Sequence, residues 1–173
     1  PLMFQLPATL ILNEQILLSA AKAARTLGTF MLIRPQDHKV LSAYADHLIT
    51  CLSSENYLEY KELILKSKVV ELADAPDIEK TITQIRKMKP DGFIIIGIPL
   101  DATAASRALE LSYTGVDTLH FYADEHDKKL NTEHPEFLKE MIRKVHLKLV
   151  DNFVRQKINL VFSGGIATAP ALG

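Results

Sequence analysis

A single cysteine, Cys51, stands in the 173 residues. One thiol cannot form an internal disulfide, and a chain with one cysteine cannot hold an iron–sulfur cluster on its own thiolates. Such a composition fits a reducing, cytoplasmic setting. Cys51 lies among apolar neighbours in "DHLITCLSS" and reads as a buried structural thiol rather than a reactive one. Charge of one sign is also missing: the formal net charge is −1, too small to favour a polyanion or a membrane surface. Aromatic residues make up only 7% and the basic residues are dispersed, so nothing specific supports nucleic-acid binding. No apolar run approaches the roughly 20 residues that cross a bilayer. The opening "PLMFQLPATLIL" is interrupted by proline and has no basic leader, unlike a signal peptide. No nucleophile elbow, P-loop or G-x-G-x-x-G turn is present.

What is there is an ordinary globular composition, 47% hydrophobic and 24% charged, on a chain long enough for one substantial core. No linker, tandem repeat or low-complexity tract divides it, so a single domain over residues 1–173 is expected. Short β-type runs recur at Leu2–Leu6, Phe30–Ile33, Leu48–Leu52, Val69–Leu72, Phe93–Ile98, Thr118–Tyr122 and Leu160–Phe162. The run "FIIIGI" is apolar throughout, as a strand covered on both faces should be. Helical patterns separate the runs. Asn13 before "EQILLSAAKAARTLG" reads as an N-cap, an alanine-rich helix and a stop at Gly28. Ile78, Ile82 and Ile85 share a helical face ahead of a Pro-Asp-Gly break, and "DATAASRALELSYTG" ends on Gly115 in the same style. A long helix begins near Pro135, with Leu138, Met141, Ile142, Val145 and Leu149 at helical spacing. Repeated β–α alternation predicts an α/β fold with about seven parallel strands, either a doubly wound sheet or an incomplete TIM-barrel-like (β/α) repeat.

Both architectures bind ligands at the carboxyl ends of their strands. After the second run comes "RPQDHK", in which Arg34 offers an anion grip and Asp37 or His38 a proton-exchanging group; the plainer reading is a solvated turn bent by Pro35. After the sixth comes "LHFYADEHDKK". His120, Asp124, Glu125, His126 and Asp127 are all chemically able to ligate a metal, but strand alternation lets only His120 and Asp124, with His126, converge. A hydrated charged loop is expected there, and no metal. After the seventh comes Ser163-Gly164-Gly165-Ile166-Ala167. Glycines let backbone amides approach a phosphate oxygen, Ser163 adds a hydroxyl, and a following helix would add its own amides.

Taken together, these segments resemble the FMN-binding barrel domain of the glutamate synthase family. "FQLPATLILNEQILLSAAKAARTLGT" follows that family's first strand, helix and G-T turn. "YADHLITCLSS" and "VVELAD" resemble the strand pair before its glycine-rich segment. "PDGFIIIGIPLDATAASRALELSYTGVDTLHFYAD", a long helix and "NLVFSGGIATA" resemble its later steps. The resemblance implies a β/α barrel, FMN as cofactor, oxidoreductase chemistry on CH–NH2 donors, and phosphate contacts from Ser163, Gly164, Gly165, Ile166 and Ala167. Several family features have other residues here. N-T-G-E-G-G is replaced by "LIRPQDHK", the lysine after the fifth strand is replaced within the apolar "IIIGIPL", and the G-G-T-G-A turn is "DEHDKK". The cluster cysteines, the amidotransferase domain and the strand-eight phosphate loop have no counterpart. The expectation is therefore an oxidoreductase by ancestry with weak or absent catalysis, binding a phosphate-bearing small molecule. The alternative is a non-catalytic relative acting as a binding or oligomerisation module, pairing with a second copy through open sheet edges.

Overall fold

The computed structural model describes residues 3–5, 13–123 and 138–164. The protein is an α/β fold of seven parallel strands alternating with helices, the β/α repeat of an incomplete TIM-like barrel, with strand order following chain order. Two compact units divide it, Pro1–Ile94 and Ile95–Gly173.

In the first unit, β1 (Met3–Phe4), β2 (Phe30–Ile33), β3 (Leu48–Leu52) and β4 (Val69–Ala73) pair side by side. Helix α1 (Glu14–Thr26) begins where Asn13 Oδ1 accepts the Ile16 amide at 2.9 Å, satisfying one of the four donors a helix start leaves open. It ends at Gly28, whose φ of +63° suits glycine, while the Thr29 amide reaches back to the Ala24 carbonyl at 2.9 Å. Both ends match the residues that announce them. Between them Leu17, Ala21 and Ala24 are buried against Met31, Ile33, Leu41 and Leu48. The small alanines let the helix lie close to the strands, and Arg25 closes the edge over the Tyr44 ring at 4.7 Å.

Helix α2 (Lys61–Lys66) and α3 (Ile78–Met88) complete this unit. Ile78, Ile82 and Ile85 form the buried stripe of α3, as their spacing predicts. The Pro-Asp-Gly break is held by the Gly92 amide on the Lys89 carbonyl at 3.1 Å and by the Arg86 guanidinium on the Gly92 carbonyl. Three features are not legible in the hydrophobic period: the six-residue α2 and the 3-10 turns at Pro35–His38 and Ser42–His47. Elements this short show too few turns for a repeat to emerge.

The second unit holds most of β5 (Phe93–Pro99), with β6 (Thr118–Tyr122) and β7 (Asn159–Ser163). Ile94, Ile95, Ile96 and Ile98 are all buried, as expected for a strand covered on both faces. Helix α4 (Ala104–Leu111) packs with α5 (Leu138–Asp151), which buries Leu138, Met141, Val145 and Leu149. Pro135, the expected start of the long helix, lies outside the described residues. Gly115 carries φ +78° in the turn four residues past the end of α4. After α5 the left-handed position that Gly28 takes after α1 is filled by Phe153, at φ +58°. The Phe153 amide bonds the Val150 carbonyl at 2.9 Å and the Val154 amide bonds the Leu149 carbonyl at 3.0 Å. This is the hydrogen-bond pattern that usually closes a helix on glycine.

One buried hydroxyl stands out. Thr50 is in register with Ile33 and so shares the face packed on α1, and its Oγ1 has no hydrogen-bond partner among the described residues. A desolvated hydroxyl without a partner is costly, and valine has nearly the same shape. Thr50→Val is expected to raise unfolding stability by about 1 kcal/mol, read as a higher urea midpoint with an unchanged slope.

Candidate functional site

The carboxyl ends of β6 and β7 bring together residues that lie far apart in the chain. Parallel pairing sets His120 beside Val161 and Tyr122 beside Ser163. Side chains alternate along each strand, so His120, Tyr122, Val161 and Ser163 share one face. On the other face Phe121 stacks on Phe162 at a centroid distance of 5.1 Å. The register also places Gly97 of β5 beside His120, and a residue without a side chain leaves room for an imidazole in a tightly packed sheet. His120 is fully buried. Its Nε2 lies 2.7 Å from Ser163 Oγ, and its ring meets Tyr122 edge-on at 6.3 Å.

Two tautomers give this contact two chemical meanings. With a proton on Nε2, the imidazole donates to Ser163 Oγ and leaves the serine hydrogen to point at an anion. With Nε2 bare, the serine donates to the ring and its oxygen is primed for proton loss. Either way the imidazole fixes the direction of a half-buried hydroxyl at the end of a barrel-type strand, where such folds carry their sites.

The glycine beside it has a structural duty. Gly164 has φ +123°, and a Cβ there would come within 2.8 Å of the Ala123 Cβ and 2.9 Å of its carbonyl carbon and oxygen. The Ala123 amide also donates to the Ser163 carbonyl at 2.8 Å. The missing side chain is therefore demanded by the neighbouring strand end before any ligand arrives. Of the five residues expected to meet a phosphate, Ser163 and Gly164 are described; Gly165, Ile166 and Ala167 lie outside the described residues, as do Asp124, Glu125, His126 and Asp127. No cluster of three potential metal ligands occurs among the described residues, and His120 meets a serine.

The end of β2 is self-paired. Arg34 grips Asp37 through two hydrogen bonds at 2.8 and 3.1 Å, and the carboxylate raises the guanidinium pKa further. Burial first, and then the charge of Lys66, hold the His38 pKa below its ordinary value of 6.5. Cys51 is half-buried and in register with the buried Glu71. Burial and, secondarily, the Glu71 charge push its pKa well up, so the thiol stays protonated at neutral pH. The thiol is less buried than its neighbours in sequence suggest, but its raised pKa is that of an unreactive one.

The His120–Ser163 contact is what sequence reasoning missed. Alternation in "LHFYA" gives the face of His120, but its partner is 43 residues away and is found only through the β6–β7 register. No helix among the described residues is long and apolar enough to cross a membrane. No known family model matches the chain, and no curated protein sequence matches it.

Cys51 in the native protein is expected to react with a disulfide reagent at pH 8 at least about a hundredfold more slowly than in urea-unfolded protein, because the thiolate is suppressed. His38 gives a pH signature. Its folded pKa is depressed, so its contribution to stability is present above pH 6.5 and is lost as pH falls toward the folded value, where the unfolded chain binds the extra proton. Denaturation midpoints between pH 7.5 and 5 should decline less steeply in His38→Gln than in the wild type.

Proposed function

We propose that this protein is a glutamate-synthase-like FMN-barrel relative with weak or absent catalysis, which binds a phosphate-bearing small molecule at the ends of β6 and β7. The observation that carries the reading is the 2.7 Å contact between His120 Nε2 and Ser163 Oγ. With the proton on Nε2, the buried imidazole donates to Ser163 and leaves the hydroxyl to donate to an anion, and a preoriented donor loses little freedom on meeting one. The ordered segments ending in Ser163 and Gly164 support the family relation. A cytoplasmic setting accords with the single cysteine.

On this reading FMN would be held by its phosphate. Ser163 supplies a hydroxyl donor, with Gly165, Ile166 and Ala167 as the amides that would follow. The bound flavin would supply hydride-accepting chemistry toward a CH–NH2 donor. Ile98, Pro99 and Leu100 at the end of β5 offer no ionisable side chain to that chemistry, which supports binding over turnover. A second reading, an assembly module, is favoured by the sheet ends: β1 and β7 stand last in the strand order among the described residues, and edge strands present backbone groups that a second copy can pair.

The test is a thermal-shift and fluorescence titration with FMN and with inorganic phosphate at concentrations up to millimolar. Both should raise Tm as a folded-state ligand does, and Ser163→Ala should weaken binding roughly tenfold, the loss of one hydrogen bond to a charged group. No shift with either compound, or an unchanged affinity in Ser163→Ala, would sink the binding site. Anaerobic glutamate should leave the absorbance of added FMN unbleached over minutes; rapid bleaching would overturn weak or absent catalysis.

A further inference from the structure

The imidazole of His120 reaches past its nearest neighbour on the next strand. Val161 stands directly beside it in the β6–β7 register, yet Nε2 meets the hydroxyl of Ser163, one step nearer the carboxyl end, at 2.7 Å. The two partners differ in exposure. His120 is fully buried, whereas Ser163, the last residue of β7, is half-buried. A buried imidazole held against a hydroxyl-bearing residue that solvent reaches is the arrangement of a nucleophile and its base. Their separation falls inside the roughly 2.6–3.2 Å over which a base takes a proton.

The sheet holds both members. Gly97 on β5 makes room for the imidazole, and the Tyr122 ring bounds it edge-on at 6.3 Å. Ser163 is anchored by its carbonyl, which accepts the Ala123 amide at 2.8 Å. Gly164 follows at φ +123°, so the residue after the hydroxyl brings no side chain to crowd it. Anion binding uses the tautomer with its proton on Nε2. The other tautomer, with Nε2 bare, accepts the serine hydrogen and raises the nucleophilicity of Oγ. This second use of the pair goes beyond anion binding and needs no flavin.

We propose that Ser163 is a nucleophile with His120 as its general base, and that the pair cleaves activated carboxylic esters. Attack on an acyl carbon needs one proton taken from the hydroxyl and one returned to the leaving group, and a single imidazole does both. In acylation Oγ bonds to the acyl carbon as its proton passes to Nε2. The bond from that carbon to the alcohol oxygen breaks, and the alcohol leaves with the proton. In deacylation water bonds through its oxygen to the acyl carbon and gives a proton to Nε2. The Oγ–carbon bond then breaks, Oγ recovers the proton, and a carboxylic acid departs. A fully buried imidazole takes on charge at a cost, so turnover is slow. With a good leaving group acylation outruns deacylation, and the acyl-serine accumulates.

The test uses p-nitrophenyl acetate at neutral pH, read by p-nitrophenolate release and by mass spectrometry of peptides. Wild-type protein should give a burst of release, an acetyl group on Ser163, and then a slower steady rate. Ser163→Ala should abolish the burst, and His120→Gln should slow acetylation of residue 163 roughly a hundredfold. A substitution at a buried position can unfold the sheet, so the wild-type protein supplies two further readouts. Acetylation of Ser163 should slow in deuterium oxide, as a step that moves a proton requires, and should be at least about a hundredfold faster in native than in urea-unfolded protein. Acetyl groups on lysines but none on Ser163 would overturn the proposal. So would equal labelling of Ser163 in native and unfolded chains, or a His120→Gln variant with wild-type Tm and wild-type acetylation. A protein whose Tm rises with phosphate but whose Ser163 takes no acetyl group would keep anion binding and sink the nucleophile.

Discussion

Burial on both faces of a parallel sheet governs the chemistry this chain can display. A strand buried along its length, such as β5 or β6, leaves few positions where a polar side chain can reach bulk water. Every polar residue in such a strand is therefore committed, either to a partner or to a cost. His120 takes the first course and finds Ser163. Thr50 takes the second among the described residues. Cys51 and Glu71 lie side by side, and the thiol answers by keeping its proton. The same constraint makes the strand ends the natural place for ligand chemistry, since only there do committed groups meet solvent.

Much of this architecture was readable beforehand because its causes are local. The strands Phe30–Ile33, Leu48–Leu52 and Thr118–Tyr122 begin and end where the apolar runs do, because β-branched and apolar residues are bounded there by turn formers. Asn13 and Gly28 do what their types predict at the ends of α1, whereas α4 stops at Leu111, before Gly115. The short α2 escaped notice for want of a second turn, and Arg34 and Asp37 turned out to satisfy each other. The candidate site was only half legible. Ser163 and Gly164 could be picked out from an apolar run meeting small residues. The role of His120 depends on a register across 43 positions, which no window of neighbouring residues contains.

The stability of the second unit's outer surface illustrates a different balance. Helix α5 closes with hydrogen bonds from Phe153 and Val154, and the buried Val154 and Leu149 supply the apolar contact that accompanies such closures. The aromatic ring between them contributes nothing to that closure. A residue that strains its backbone and turns its bulk to solvent is unexplained by the folding of the isolated chain, and its use must be sought in what meets it.

Gly164 carries a lesson about motifs. Its missing side chain is required because Ala123 stands 2.8 Å from where a Cβ would be, so selection for a well-formed sheet end is sufficient to retain it. A descendant that lost its ligand altogether would keep this glycine, and with it the appearance of a phosphate loop. Ser–Gly at the end of such a strand thus records how two strands finish against each other. Because packing alone can retain it, that signature by itself does not mark a ligand site.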